Sequence, residues 1–320
     1  MRNPQFFVLI STFVLFTSCM PDLPSSPKLN PNSLGGQDSN PDAPRYWKNN
    51  KLPLQVFISE DFETDFTGFY DPFTELNPFD QMQQNWEDAV PGKTLFTLGL
   101  SNIENYAPSS FGYFSPPRAI EGSRDGTYNA SQTNQIGIYK SYTWYSDISS
   151  DALAVATFSA YRRNQGSPTE HLEMSHADII INYRDYDFTM DETNNLEFDL
   201  PTTVNHELGH LLGLAHIGSS SAVMSNSLSS GQVKRSLFSL DSNSIRDLYE
   251  DHTYALTSGS SSSLPSFSTD GTPLPKEDEH VQGMIELMAD GDCNHYENGE
   301  LVHTHKANKK QGDSNEKVNQ

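Results

Sequence analysis

Residues 206–216 read HELGHLLGLAH, and this stretch decides most of what the sequence predicts. His206 and His210 are four positions apart, so one face of a helix presents both imidazoles to a single metal ion. Glu207 follows the first histidine directly, where its carboxylate can reach a water molecule on the metal rather than the metal itself. The pattern therefore predicts a helix that carries two metal ligands and a base.

A third ligand is expected just beyond the end of that helix. Gly213 tolerates the left-handed turn that ends a helix and swings the chain around. This turn can deliver His216 to the same metal. Three protein ligands leave one tetrahedral position for water, which is typical of catalytic rather than structural zinc. The sequence thus predicts one catalytic zinc, held by His206, His210 and His216.

Apolar patterns over residues 46–254 predict one domain with both helices and strands. The zinc helix is expected over 200–212, with Asp199 as its N-cap and Pro201 in its first turn. Residues 101–150 are rich in Tyr, Ser and Gly, and no element is predicted there. The other expected elements are strands at 52–59, 94–100, 153–161 and 177–183, and helices at 79–90 and at 242–249 with Asp241 as N-cap.

These residues resemble the metzincin zinc peptidases and, among them, the matrixins. Met224 lies eight residues after His216, at the spacing of the family's Met-turn, whose methionine lies beneath the zinc ligands. Residues 177–181 (ADIII) are similar to a matrixin strand, and 240–249 to the closing helix. The resemblance covers about residues 46–252. It implies an α+β fold with a twisted mixed β-sheet, an active-site helix, a Met-turn and a C-terminal helix.

The resemblance also implies a zinc-dependent metalloendopeptidase that acts on protein or peptide substrates. Glu207 would act as general base, taking a proton from the zinc-activated water and passing it to the leaving nitrogen. The strand at 153–161 is our candidate for the rim of the cleft, where an extended peptide could add by strand pairing. Two alternatives stay open: a zinc hydrolase of a non-protein amide, and a non-enzymatic binding lipoprotein, which would have no need of Glu207.

Departures from the matrixin pattern limit the expected metal content. Ile217 and Ser225 stand where matrixins usually carry Ser and Tyr, and the segment that holds their second, structural zinc is missing. We therefore expect one zinc in this domain. Asp178 matches a calcium-ligand position of the family, so bound calcium is an alternative to a hydrogen-bonding role. No cysteine lies between residues 20 and 292, which excludes an upstream cysteine switch of the matrixin kind.

Composition and the N-terminus bear on partners and location. Lys and Arg number 20 against 42 Asp and Glu, a formal net charge of −22, which would repel a nucleic-acid backbone. The apolar run at 6–16 is typical of a secretory signal, and Cys19 follows it as in a bacterial lipobox. We expect a signal peptide at 1–18 and a disordered tether at 19–45 that starts at a lipidated Cys19. An ordinary cleaved signal is the alternative.

This N-terminus predicts export to the cell envelope, with a lipid anchor in the membrane. In a Gram-negative cell that membrane would be the outer one, because residue 20 is Met rather than Asp. The chain is expected to be a monomer.

The C-terminal region is expected to lie outside the domain. A Ser- and Pro-rich linker is predicted at 255–275 and a tail at 276–320. Apolar residues at helical spacing predict a short helix over 275–289. The tail also carries residues of the types that bind zinc, namely Cys293, His295, His303 and His305. Three interpretations stay open: incidental ligands in a solvated tail, a second metal site, or Cys293 capping the catalytic zinc.

Overall fold

The structure is a computed structural model. It describes residues 43–62, 65, 77–103, 136–142, 144, 148–165, 169–250, 279–290 and 292–305. The predicted signal peptide, Cys19, most of the tether and the linker at 255–275 lie outside these residues. No helix within the described ranges is long and apolar enough to cross a bilayer.

Strands and helices alternate along the described part of the chain. Two short 3₁₀ turns occupy Asn49–Lys51 and Glu60–Phe62. The strands and α-helices, in chain order, are β1 (Arg45–Tyr46), β2 (Leu54–Ser59), α1 (Pro78–Ala89), β3 (Phe96–Ile103), β4 (Ile136–Ser141), β5 (Ala152–Arg163), β6 (His171–Asn182), β7 (Phe188–Thr189), β8 (Phe198–Asp199), α2 (Leu200–Leu211), α3 (Ser239–Tyr249), β9 (Glu279–Met288), β10 (Cys293–Glu297) and β11 (Glu300–His305).

One mixed sheet organises the fold. Its strand order is β11-β10-β9-β5-β6-β4-β2-β3, and β1 pairs with β6. Strands β3, β2, β4 and β6, which are neighbours in this order, run parallel to one another. Strand β5 is antiparallel to β6, and the antiparallel pairing continues through β9, β10 and β11. Helices pack on this sheet, so the predicted α+β class is confirmed.

The centre of the sheet is buried on both faces. Ile179, Ile180 and Ile181 of β6 are fully buried in succession, as expected for a strand that is covered on both faces. The strands predicted at 153–161 and 177–183 correspond to β5 and β6, which form an antiparallel hairpin and pair from Ala154 with Ile181 to Arg163 with His171.

Helix α1 begins where the sequence supplies a cap. The Asn77 side chain accepts hydrogen bonds from the backbone N–H groups of Phe79 and Asp80, which would otherwise have no partner in the first turn. Trp86, on the buried face, is fully enclosed, and its Nε1 donates to Asn205 Oδ1 of α2 at 2.8 Å. This contact ties α1 to α2.

Two features of the sheet differ from the predictions. Strand β4 lies in a region where no element was predicted. The helix predicted over 275–289 is wrong, because residues 279–288 form β9, paired with β5 along its length. Val281, Ile285 and Met288 fit helical spacing, but a short apolar run cannot distinguish a buried strand from a helix. The pairing with β5, more than a hundred residues away in sequence, decides it.

The predicted solvated tail is also wrong for residues 279–305. These residues form β9, β10 and β11, which extend the sheet of the domain itself. Every residue from Val281 to Met288 is buried, and β9 lies between β5 and β10 instead of at an edge of the sheet.

Candidate metal centre

Three imidazole nitrogens converge on one point. The Nε2 atoms of His206 and His210 are 3.0 Å apart, His206 and His216 are 3.2 Å apart, and His210 and His216 are 3.0 Å apart. Nitrogens bound tetrahedrally to one zinc ion at 2.0–2.1 Å would be separated by about 3.3 Å. The donor set therefore fits zinc, and the three predicted ligands come together as expected.

Helix α2 and the turn after it place these ligands. Asp199 caps the helix as predicted, accepting from Thr202 N at 3.0 Å. The helix ends at Leu211, and Gly213, two residues further on, has a φ of +102° that is strained for any residue with a side chain. A Cβ there would also collide with the carbonyl oxygen of Arg45 in β1. The turn returns the chain so that His216 faces the two helical histidines.

Backbone carbonyls fix the orientation of both helical imidazoles. His206 Nδ1 donates to Val223 O at 2.7 Å, and His210 Nδ1 donates to Leu214 O at 2.8 Å. A carbonyl can only accept, so the proton is on Nδ1 and the Nε2 lone pair is free for a metal. Burial lowers the pKa of His206 to about 3 and that of His210 well below its usual value, so both rings are neutral, as metal ligands must be.

The Glu207 carboxylate is buried beside the three histidines. Its side chain has no exposure to solvent, and among the described residues neither carboxylate oxygen has a hydrogen-bond partner. A buried carboxylate without donors is unfavourable unless a polar group meets it. Burial also raises the pKa of Glu207 well above its usual value. These properties fit a base that serves a metal site with a water ligand.

Met224 lies directly under the zinc helix, as the Met-turn prediction requires. Its side chain is fully buried, and a Cβ on Gly209 would collide with its sulfur. The Met224 carbonyl accepts from Ile217 N at 2.7 Å, next to the third ligand. The turn thus supports the site through packing and through the chain that carries His216.

Asp241 has a different role from the one predicted. Helix α3 begins at Ser239, so Asp241 is its third residue and not its N-cap. The buried carboxylate accepts from the backbone N–H groups of Phe238 at 2.9 Å, Val223 at 2.9 Å and Met224 at 3.0 Å. Asp241 therefore ties the Met-turn to α3. No local sequence signal marks the link to the Met-turn, because Val223 and Met224 lie 18 and 17 residues before Asp241.

The Asp178 carboxylate is engaged by protein donors. It is fully buried and accepts from Gly137 N at 2.9 Å, and it lies 2.9 Å from His176 Nε2. The described residues contain two groups of three close metal-binding side chains, and Asp178 belongs to neither. Its geometry supports the hydrogen-bonding role.

The C-terminal residues Cys293 and His295 lie against the outer side of His216. Cys293 Sγ is 3.2 Å from His216 Nδ1 and 4.0 Å from its Nε2, and His295 Nε2 is 3.4 Å from the same Nδ1. A fourth ligand of the catalytic zinc would be closer to the Nε2 atoms than to Nδ1. The geometry therefore does not support Cys293 as a cap on the catalytic zinc.

The predicted cleft rim is occupied by the chain itself. We expected the strand at 153–161 to offer a free edge to an extended peptide, but β5 pairs on that edge with β9, from Ala152 with Met288 to Arg162 with Glu279. Arg162 strengthens the contact, because its buried guanidinium bonds Glu297 of β10. A substrate strand and β9 cannot occupy this edge together.

Three convergent histidines of an HExxHxxGxxH motif with a buried carboxylate beside them define a zinc-dependent hydrolase. Residues 167–250, about a quarter of the chain, match the family described as Matrixin. This region, from before β6 to the end of α3, is a matrixin domain, and the protein is a zinc metalloendopeptidase. None of the curated proteins is significantly similar to the chain.

Proposed function

We propose that this metalloendopeptidase hydrolyses peptide bonds with Glu207 as general base. The observation that carries the proposal is the Glu207 carboxylate, which is fully buried and has no hydrogen-bond partner in the described part of the chain, one residue after the first of three convergent histidines. Its raised pKa makes the carboxylate a stronger base than an exposed glutamate.

The chain's own residues divide the work in this reaction. A zinc ion held by the three histidines would supply Lewis acidity and lower the pKa of a water molecule towards about 7. Glu207 takes the proton of the attacking water as the bond from oxygen to carbonyl carbon forms. It then gives that proton to the nitrogen as the C–N bond breaks, so Glu207 returns to its starting state. Val223 and Leu214, through their carbonyls, keep His206 and His210 in the ligating tautomer.

Two substitutions separate the base from the ligands. Glu207→Gln keeps the shape of the side chain and removes its basicity, so zinc content should stay near that of wild type while turnover falls about 10²–10⁴-fold. His206→Ala removes a ligand and should lower zinc content and turnover together. Zinc is measured by atomic absorption and turnover with a quenched-fluorescence peptide. Wild-type turnover in Glu207→Gln would refute the assignment of the base.

The cellular location is a second part of the proposal. The apolar run at 6–16 followed by Cys19 supports a lipid-anchored protein of the cell envelope. We propose that it acts there on protein substrates as a monomer. A single acyl chain binds membranes only marginally, whereas several give stable anchoring. Cys19→Ser should move the protein from the membrane fraction to the soluble fraction. A wild-type protein that is soluble and carries no lipid by mass spectrometry would contradict this location.

A further inference from the structure

The hairpin of β10 and β11 explains the spacing of the cysteine and the three histidines near the C-terminus. Cys293, His295, His303 and His305 follow the pattern C-x-H-x₇-H-x-H. Cys293 pairs with His305 and His295 with His303 across the hairpin. Directly opposite residues share a face, and so do residues two apart on one strand. All four side chains therefore lie on one face of the hairpin.

The turn of the hairpin sets this register. Asn298 and Gly299 form the two-residue connection, with φ values of +51° and +86°. Asn-Gly is the preferred sequence for such a turn, because both positions need a positive φ. The dipeptide is thus a local signal that could have predicted the hairpin of β10 and β11. It does not predict which part of the protein the histidine-bearing face of the hairpin contacts.

That face meets the outer side of His216. His295 Nε2 is 3.4 Å from His216 Nδ1. The ring centroids are 5.3 Å apart for His216 and His305 and 4.8 Å apart for His295 and His305. Ligand atoms of these three residues all lie within 4.8 Å of one another. The 3.4 Å separation is close to the roughly 3.3 Å between two nitrogens bound to one zinc ion.

We propose that His216 Nδ1, His295 and His305 bind a second divalent transition-metal ion of the zinc class, so that His216 bridges two metals. Its Nε2 faces His206 and His210, and its Nδ1 faces the hairpin. Binding on both sides requires the ring to lose its remaining proton, which goes to solvent. Imidazole donors suit zinc, copper and nickel, whereas calcium and magnesium prefer oxygen ligands.

The site differs from anything the matrixin match accounts for. His295 and His305 lie beyond residue 250, where the match ends. Cys293 is beside the site, but its Sγ also donates to Glu286 O at 2.8 Å, and it does not belong to the three-residue group. His303, on the same face, is outside the group as well, which makes it a matched control. The proposal does not depend on Glu207 or on peptide cleavage.

The test counts metal ions in the full chain. Protein stripped with a chelator is dialysed against Zn²⁺ alone, and zinc per chain is measured by mass spectrometry. We expect two zinc ions in wild type, one in the double variant His295→Ala/His305→Ala, and two in His303→Ala. The double variant His206→Ala/His210→Ala should keep one, in the second site. A cooperative unfolding transition, measured in the presence of chelator, confirms that each variant is folded.

Two outcomes would overturn the proposal. One zinc in wild type would mean that His216 Nδ1 only donates a hydrogen bond to His295. Two zinc ions in His295→Ala/His305→Ala would place the second ion elsewhere. Neither outcome affects the catalytic zinc or the role of Glu207. The thermal shift gives a second readout, since a bound ion stabilises the folded state by mass action. Zn²⁺ should therefore raise the melting temperature more in His303→Ala than in His295→Ala/His305→Ala.

Discussion

The two sets of histidines in this protein are built in opposite ways. His206, His210 and His216 lie within eleven residues, and one helix with one turn places them. His295 and His305 reach His216 only because β9 crosses the sheet to pair with β5, Thr157 opposite Met284. The first set is therefore a product of local structure and the second of long-range strand pairing.

Removal of residues 279–320 should have the largest effect. Val281, Met284 and Ile285 of β9 are each at most 1% exposed, and a buried side chain of this size contributes about 1.5–3 kcal/mol. The truncated chain should lose at least about 4 kcal/mol, a large part of a typical domain's total stability. Denaturant unfolding with saturating zinc measures the loss. Removal of 306–320, which follow β11, is the control and should change little.

If the truncated chain unfolds at the same denaturant concentration as wild type, the C-terminal strands do not stabilise the domain. The C-terminal strands would then be an appendage, as the sequence predicted, and not part of the core. A cooperative transition at lower denaturant concentration would confirm that the local zinc motif depends on distant strands for a stable support.

Asp241→Asn should have an intermediate effect, since it weakens the link between the Met-turn and α3. The carboxylate accepts three backbone N–H groups, and an amide replaces one acceptor oxygen by a donor. Leaving a buried donor without a partner costs about 1–3 kcal/mol. Asp247→Asn, at an exposed position of the same helix, is the control and should stay within about 0.5 kcal/mol of wild type. Equal stabilities of the two variants would show that this tertiary link is unimportant.

Met224→Leu should have the smallest effect. The methionine side chain is buried and fills space against Gly209. A swap that conserves volume should cost less than about 1.5 kcal/mol, with zinc bound and much of the activity kept. Zinc content, unfolding and peptide turnover are measured on the same preparation. Loss of zinc in this variant would show that the Met-turn tunes the metal site beyond packing.

The contrast also explains which predictions were confirmed. Asp199, Pro201 and Gly213 each act within a few residues of their own position, so their effect on α2 could be derived from the chain alone. The helix predicted over 275–289 failed because its apolar spacing suits two structures. The free edge expected for β5 was wrong for a different reason, because the strand that covers it, β9, lies more than a hundred residues further along the chain.

The zinc helix, its cap, its glycine turn and the three ligands all follow from the local order of residues. Periodicity and capping act over one to four residues, so both can be derived from the sequence of that short segment. Only the tertiary structure decided that β9 covers β5, that Asp241 holds the Met-turn, and that His295 and His305 face His216. These contacts arise from strand pairing and from the burial of side chains on both faces of a sheet. Many alternative pairings satisfy the same local pattern, so a chain read alone does not distinguish among them.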